Sequence, residues 1–125
     1  MARILNSSNL ENWQLDFEWL RIRHYVKNAL GIDKLPDLQS LLLLIGIQEL
    51  GKIIIEPSKE EKQDLMHIAV CRLLSYDGYY ELEGYDDEGW PHWRAVQPIE
   101  TSGVKAQEEL LKLKMIDYFG YLSQS

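Results

Sequence analysis

The apolar residues between Leu10 and Leu30 recur at intervals of three and four positions, which predicts a helix. They form two sets, and together the sets predict a wide buried face. The first set is Trp13, Phe17 and Leu20, and the second is Leu15, Trp19, Ile22, Val26 and Ala29. We expect Asn9 to be the N-cap and Gly31 to end the helix in a left-handed conformation.

A second helix is predicted from the residue after Asp37 to Gly51, with Pro36 just before its start. Apolar residues surround it almost completely, a pattern typical of a helix at the centre of a fold or at an oligomer interface. Gly46 would allow another helix to approach closely. The following segment, 52–57, is rich in β-branched residues and predicts either a short strand or an extended connector.

Ser58 and Glu61 have the spacing of a capping box, in which each side chain bonds to the backbone amide of the other residue. This pair predicts the start of a third helix. Its apolar residues continue to about Ser75, and Asp77 with Gly78 favours a break.

Two aromatic, extended runs follow, Tyr79–Tyr85 and Trp90–Ile99, separated by a short acidic loop that ends in Gly89. They predict a β-hairpin with a type I turn and a bulge, with the proline-containing second strand at an edge. A last helix is expected over 104–122, capped by Thr101 or Ser102. The fold class is therefore mainly α (α+β), with about four helices and an antiparallel hairpin between the third and fourth, in a single domain over residues 1–125.

The composition, 125 residues with 46% hydrophobic and 26% charged, indicates a globular chain. A net charge of -7 repels phosphate backbones and anionic lipid, so we expect neither nucleic acid nor membrane as a partner. The only basic stripe, Arg21, Arg23 and Lys27, is better explained as a solvated helix face. The longest aliphatic run, 41–47, is far shorter than the ~20 residues of a membrane span.

The single cysteine, Cys71, cannot form an internal disulfide, and the N-terminus lacks the apolar stretch of a signal peptide. Both features predict a cytoplasmic location. Cys71 shares a helical face with Asp64 and His67, which suggests a metal site or a cysteine nucleophile, but hydrocarbon neighbours and the absence of further paired ligands favour structural burial. We therefore expect no metal and no cofactor.

The acidic residues Asp86, Asp87 and Glu88 do not have the alternating spacing of a calcium loop, and their composition is also that of an exposed turn. The sequence contains no phosphate-binding glycine loop, dinucleotide fingerprint, nucleophile elbow or paired zinc motif. No catalytic residue is predicted. Whether the chain is an enzyme stays open at this point, with the balance against it.

The hairpin has the most unusual composition, because proline and histidine stand between tryptophans and face tyrosines. Strand pleating predicts that either Trp90 with His92, or Trp93 with Ala95, faces outward. Such rings either anchor the hairpin to the helices or form a binding surface, since tryptophan, tyrosine and arginine are common at interaction sites. The candidate binding residues are Tyr80, Tyr85, Trp90, His92, Trp93 and Arg94.

The stretches Lys62–His67 and Gly84–Trp93 resemble a group of small bacterial proteins of unassigned function. The resemblance extends over most of the chain. It implies a bacterial, cytoplasmic protein, and it brings no activity, cofactor or catalytic residue with it.

Two functional hypotheses follow. The first is a non-catalytic protein-interaction or small structural domain that binds another protein or a second copy of itself, using the apolar surface of the second or fourth helix and the hairpin aromatics. The alternative is a small-molecule-binding protein or enzyme with a pocket between the hairpin and the helices, where Tyr80, Trp90, His92 and Arg94 converge.

Overall fold

The computed structural model describes residues 11–99 and 103–123, with side chains up to residue 120. This part of the chain contains four helices, with a two-stranded antiparallel hairpin between the third and the fourth, as predicted. The elements are α1 (Asn12–Leu30), α2 (Leu38–Leu50), α3 (Lys59–Ser75), β1 (Tyr80–Tyr85), β2 (Pro91–Ala95) and α4 (Val104–Ser123). None of the helices in the described ranges is long and apolar enough to cross a membrane.

The chain divides into two compact units. One contains α1 and α4, and the other contains α2, α3 and the hairpin. The expectation of a single domain over residues 1–125 stays a prediction.

In the first unit, α1 packs against α4 through the buried apolar residues of both helices. α1 starts later than predicted, because the N-cap is Glu11, whose amide donates a 2.8 Å hydrogen bond to Oε1 of Gln14. The predicted N-cap, Asn9, lies outside the described residues, as do Thr101 and Ser102. The C-terminal prediction is confirmed, since Gly31 has a φ of 65°. The buried residues are Glu18, Ile22, Val26, Met115, Ile116 and Phe119.

The prediction of one wide buried face on α1 is wrong. The second apolar set supplies the buried residues Ile22 and Val26, whereas Trp13, Phe17 and Leu20 of the first set are 68%, 61% and 43% exposed. The periodicity correctly places each set on one side of the helix. Periodicity alone does not determine which of the two sides a neighbouring element covers.

In the second unit, α2 and α3 have the predicted bounds. Gly51 ends α2 with a φ of 78°. The capping box of α3 is complete, with the Ser58 amide 2.9 Å from Oε1 of Glu61 and the Glu61 amide 3.1 Å from Oγ of Ser58. The buried apolar residues of the two helices are Leu41, Leu42, Ile45, Leu50, Leu65, Ile68, Ala69, Cys71, Leu73 and Leu74.

At Gly46 the backbones of α2 and α3 lie in close contact. A β-carbon built on Gly46 would lie 2.0 Å from the backbone oxygen of Leu65 and 2.6 Å from its carbonyl carbon. The prediction that this glycine permits close approach is confirmed. The segment 52–57 forms no strand and is an irregular connector with Ile53 and Ile55 exposed.

The hairpin is shorter than predicted at both strands, and its turn is the predicted type I turn with a bulge. The Gly89 amide donates to the Asp86 oxygen at 3.0 Å, and Gly89 has a φ of 86°. A second bulge is introduced by Glu83, since Leu82 pairs with Trp93 and Gly84 with His92. This bulge brings Tyr85 to the same face as Leu82.

Candidate functional site

An open groove of about 510 Å³ lies between α3 and the hairpin, both of which belong to the second unit. Its volume is in the range of ordinary ligand pockets, although it is not enclosed. The groove is lined by Glu61, Asp64, His67, Ile68, Asp86, Glu88, Trp90, Pro91, His92 and Trp93. The first four come from α3, and the others come from the turn and β2 of the hairpin.

α3 forms its wall with residues at positions i, i+3, i+6 and i+7, which lie on one face of a helix. The wall starts at Glu61, whose side chain accepts the Ser58 amide and so fixes the first turn of the helix. Ile68 is buried, while Asp64 and His67 are exposed above it. The α3 wall is therefore polar at its surface and apolar at its base.

The hairpin wall is fixed by Asp86. Its Oδ1 accepts the amides of Glu88 and Trp90, each at 2.9 Å, and its Oδ2 lies 3.0 Å from Nε2 of His92. The hydrogen bond from His92, followed by the one from the Trp90 amide, lowers the pKa of Asp86. Asp86 is thus a turn-stabilising residue, which supports the explanation of the acidic loop as an exposed turn.

The four carboxylates of the groove have different roles. Glu61 and Asp86 are engaged in the cap and in the turn. The carboxylates of Asp64 and Glu88, one from each wall, have no hydrogen-bond or ion-pair partner within the described residues. Among the described residues, no lysine or arginine lines the groove. Two cations lie beside it: Arg72, 4.9 Å from the Trp93 ring centroid, and Lys52, whose Nζ donates to the backbone oxygen of Glu88 at 2.7 Å. The groove is accordingly acidic, with two carboxylates available to a ligand.

The two tryptophans of the groove are both half-buried, so neither predicted pair, Trp90 with His92 or Trp93 with Ala95, faces outward as a pair; His92, Arg94 and Ala95 of β2 are exposed. Trp93 is held by α3, with the Arg72 guanidinium 4.9 Å from its ring centroid. Its Nε1 is buried and has no hydrogen-bond partner within the described ranges. Trp93 therefore anchors the hairpin, whereas the Trp90 ring has no cation–π or aromatic partner among the residues that the structure describes.

Arg72 connects three elements of the second unit. Its Nε donates to Oε1 of Glu49 on α2 at 2.6 Å, while its guanidinium covers Trp93 of the hairpin. Burial lowers the pKa of Arg72, but the hydrogen bond and charge of Glu49 outweigh that effect and raise the pKa above its usual value. The arginine is charged and fixed, and it holds the hairpin wall of the groove against α3.

Three of the six candidate binding residues line the groove: Trp90, His92 and Trp93. The other three lie elsewhere. Arg94 pairs with Glu81 at 2.7 Å on the exposed face of the hairpin. Tyr85 is paired with Pro91 and is 63% exposed. The Tyr80 ring is T-shaped to the His67 ring, with 6.4 Å between the ring centroids. The expected convergence of Tyr80 and Arg94 with Trp90 and His92 is not what the structure shows.

The α3 residues of the groove were not among the predicted binding residues. The indication in the sequence is the helical face that Asp64 and His67 share, which by itself suggests a metal site and not the wall of a groove. His67 does contact Cys71, with Nε2 3.4 Å from Sγ. The parts of the chain at 11–99 and 103–123 contain no group of three or more His, Cys, Asp or Glu side chains placed to hold a metal ion.

Cys71 is not placed for catalysis. The residue is fully buried, and burial raises the pKa of its thiol to about 11. At neutral pH the thiol therefore stays protonated. The structure thus agrees with the interpretation of Cys71 as a core residue.

Comparison with known proteins adds no functional assignment to this geometry. No family model, curated protein or solved structure matches the chain.

Proposed function

We propose that the chain is a non-catalytic interaction module, and that its groove between α3 and the hairpin binds a cationic segment of a partner protein. The observation that carries the proposal is the pair of unengaged carboxylates, Asp64 and Glu88, on opposite walls of a groove that also contains the Trp90 indole. An arginine or lysine side chain complements this arrangement, because it can pair with a carboxylate and stack on an indole face.

The shape of the groove favours a protein segment over a small molecule. Pockets for small ligands usually bury most of the ligand surface, whereas this groove is not an enclosed cavity. An extended chain can pass through an open groove and place one cationic side chain between the walls. The net charge of -7 would also increase the rate of encounter with a basic partner.

The lining residues also favour binding over catalysis. The described lining residues include no serine, threonine, cysteine or lysine, so a nucleophile would have to be one of the carboxylates or histidines. Of the two exposed histidines of the lining, His92 is engaged with Asp86 in stabilising the turn, and His67 lies with its Nε2 3.4 Å from Sγ of the buried Cys71. The cytoplasmic location expected from the sequence is part of the same proposal, and the buried, reduced Cys71 is consistent with it.

Binding can be tested by NMR titration of the ¹⁵N-labelled protein with a capped peptide containing two adjacent arginines. We expect saturable shifts of the Trp90 indole signal and of the Asp64 and Glu88 amides. The same peptide with citrulline in place of arginine keeps the shape and loses the charge, so its affinity should fall about tenfold. Higher salt should weaken the arginine peptide selectively.

Two charge-neutralising variants, Asp64→Asn and Glu88→Gln, should each weaken arginine-peptide binding about fivefold, which corresponds to about 1 kcal/mol per exposed ion pair. Matched controls are Glu60→Gln on α3 and Asp87→Asn in the turn, because neither residue lines the groove. Equal loss in variants and controls would show that only the overall charge matters, and the proposal would fail.

The small-molecule alternative is tested in the same titration with agmatine, which presents a guanidinium without a peptide. Weak binding of agmatine relative to the peptide supports a protein partner. Equal affinity of the two would contradict a protein partner and favour a small cationic metabolite as the ligand.

A further inference from the structure

The groove contains two of the three histidines of the chain, His67 and His92. They lie on opposite walls, His67 on α3 and His92 on β2, and both side chains are exposed. His67 follows Asp64 by three positions on the same helical face. His92 is bonded to Asp86, which also accepts the Glu88 amide. Each wall therefore carries one unengaged carboxylate and one histidine.

We propose that protonation of His67 and His92 weakens binding of the cationic segment, which makes the groove a pH-sensitive site between about pH 7.5 and about pH 5.5. The inference rests on the proposed function, because it concerns the regulation of the same site. In general an imidazole gains its proton in this range, whereas carboxylates remain ionised. The lining carries four carboxylates, so protonation of both histidines halves its formal charge.

The other titratable or charged groups at the groove keep their charge state over this range. Burial raises the pKa of the Cys71 thiol to about 11 and also raises the pKa of the Tyr80 hydroxyl, while the hydrogen bond from His92 lowers the pKa of Asp86. Carboxylates, lysine and arginine are in general ionised throughout. These neighbours are Glu61, Asp64, Cys71 and Arg72 of α3, Glu49 of α2 beside Arg72, Tyr80 of β1, Asp86 and Glu88 of the turn, and Lys52 of the connector.

Protonation of His67 acts mainly through Asp64. An imidazolium and a carboxylate three positions apart on a helix can pair, so the charged His67 competes with the ligand for a carboxylate that the ligand needs. Protonation also changes the contact with Cys71, whose Sγ lies 3.4 Å from Nε2 of His67. The protonated thiol can donate to that nitrogen only while the nitrogen carries no proton.

Protonation of His92 acts mainly through Glu88. Its Nε2 stays 3.0 Å from Oδ2 of Asp86, so the turn keeps its bond while a positive charge appears on the wall that carries Glu88. Because Asp86 balances part of this charge, we expect the smaller effect from His92, about 2.5-fold in affinity, and about fourfold from His67. Together the two protonations should weaken binding about tenfold.

The capped arginine peptide measures this effect, because its own charge does not change in the range. Its affinity should fall about tenfold from pH 7.5 to pH 5.5, which by linkage corresponds to the release of about half a proton on binding. Calorimetry at pH 6.5 in two buffers of different ionisation enthalpy counts that proton directly. Circular dichroism at both pH values checks that the fold is unchanged.

Three histidine variants assign the effect. The ratio of affinities at the two pH values should fall to about 2.5 in His67→Gln, to about four in His92→Gln and to about one in the double variant. The matched control is His24→Gln, because His24 is exposed on α1 and does not line the groove. That variant should keep the tenfold ratio.

The outcomes separate this inference from the proposed function. A peptide that does not bind at pH 7.5 would overturn both. A peptide that binds at pH 7.5 and equally well at pH 5.5 would overturn only the pH sensitivity. The same conclusion follows if the double variant keeps the tenfold ratio, or if His24→Gln loses as much of the ratio as the groove variants do.

Discussion

Replacement of Gly46 by alanine is expected to destabilise the second unit, although alanine is the better helix former. The added β-carbon would lie 2.0 Å from the Leu65 backbone oxygen, where a carbon–oxygen contact needs about 3.3 Å. The helices must therefore separate by about 1.3 Å at this contact, because the obstacle is backbone and cannot change rotamer. Overpacking of this kind lowers the free energy of unfolding by about 3 kcal/mol, and the higher helix propensity of alanine offsets about 1 kcal/mol of that loss.

The net expectation for Gly46→Ala is a loss of about 2 kcal/mol in the free energy of unfolding and a fall in Tm of about 8 °C. The matched control is Gly120→Ala on α4, where the described neighbour within 4 Å of the new β-carbon is the flexible end of Arg21, at 3.9 Å. That variant should gain about 1 kcal/mol from propensity. Urea unfolding of both variants measures the two effects, and a Gly46→Ala protein as stable as the wild type would refute the close-packing argument.

Two further predictions concern titratable side chains. The Cys71 thiol, buried and with its pKa raised to about 11, should react with a thiol reagent at pH 8 at least about a hundredfold more slowly in the native protein than in guanidinium, and rapid native labelling would contradict its burial. Because hydrogen bonds lower the pKa of Asp86 from its ordinary value of 3.8, its contribution to the hairpin is complete above that value and is lost as the pH falls through the lower, folded-state pKa. NMR shifts of the Glu88 and Trp90 amides between pH 5 and pH 2 should show this transition, Asp86→Asn should abolish it, and a midpoint at or above 3.8 would contradict the reasoning.

Much of the secondary structure could be predicted because its signals are local. The capping box of Ser58 and Glu61, the glycines after α1 and α2, and Gly89 in the hairpin turn each act within a few residues of their own position. The predicted strand ends were less accurate. β2 ends at Ala95 rather than Ile99, because strand length depends on how far a partner strand continues, and β1 offers pairing only to Tyr80.

The candidate site was predicted only in part. Trp90, His92 and Trp93 stand out by composition, whereas Arg94 and Tyr80 were expected in the groove and lie elsewhere. The α3 wall was not predicted as a binding surface, because carboxylates on an exposed helix face are common. They become informative only when a second element faces them.

The amino-acid sequence by itself determined where the helices begin and end, that a hairpin lies between the third and fourth helix, and which residues share each helical face. These properties follow from backbone geometry and short-range hydrogen bonds, which act between neighbours in the chain. Only the tertiary structure decided which of the two apolar sides of α1 is buried and which α3 face meets the hairpin. Periodicity defines the sides of a helix, but burial depends on the distant segment that packs against one of them, and for Trp13, Phe17 and Leu20 that distinction reversed the expectation.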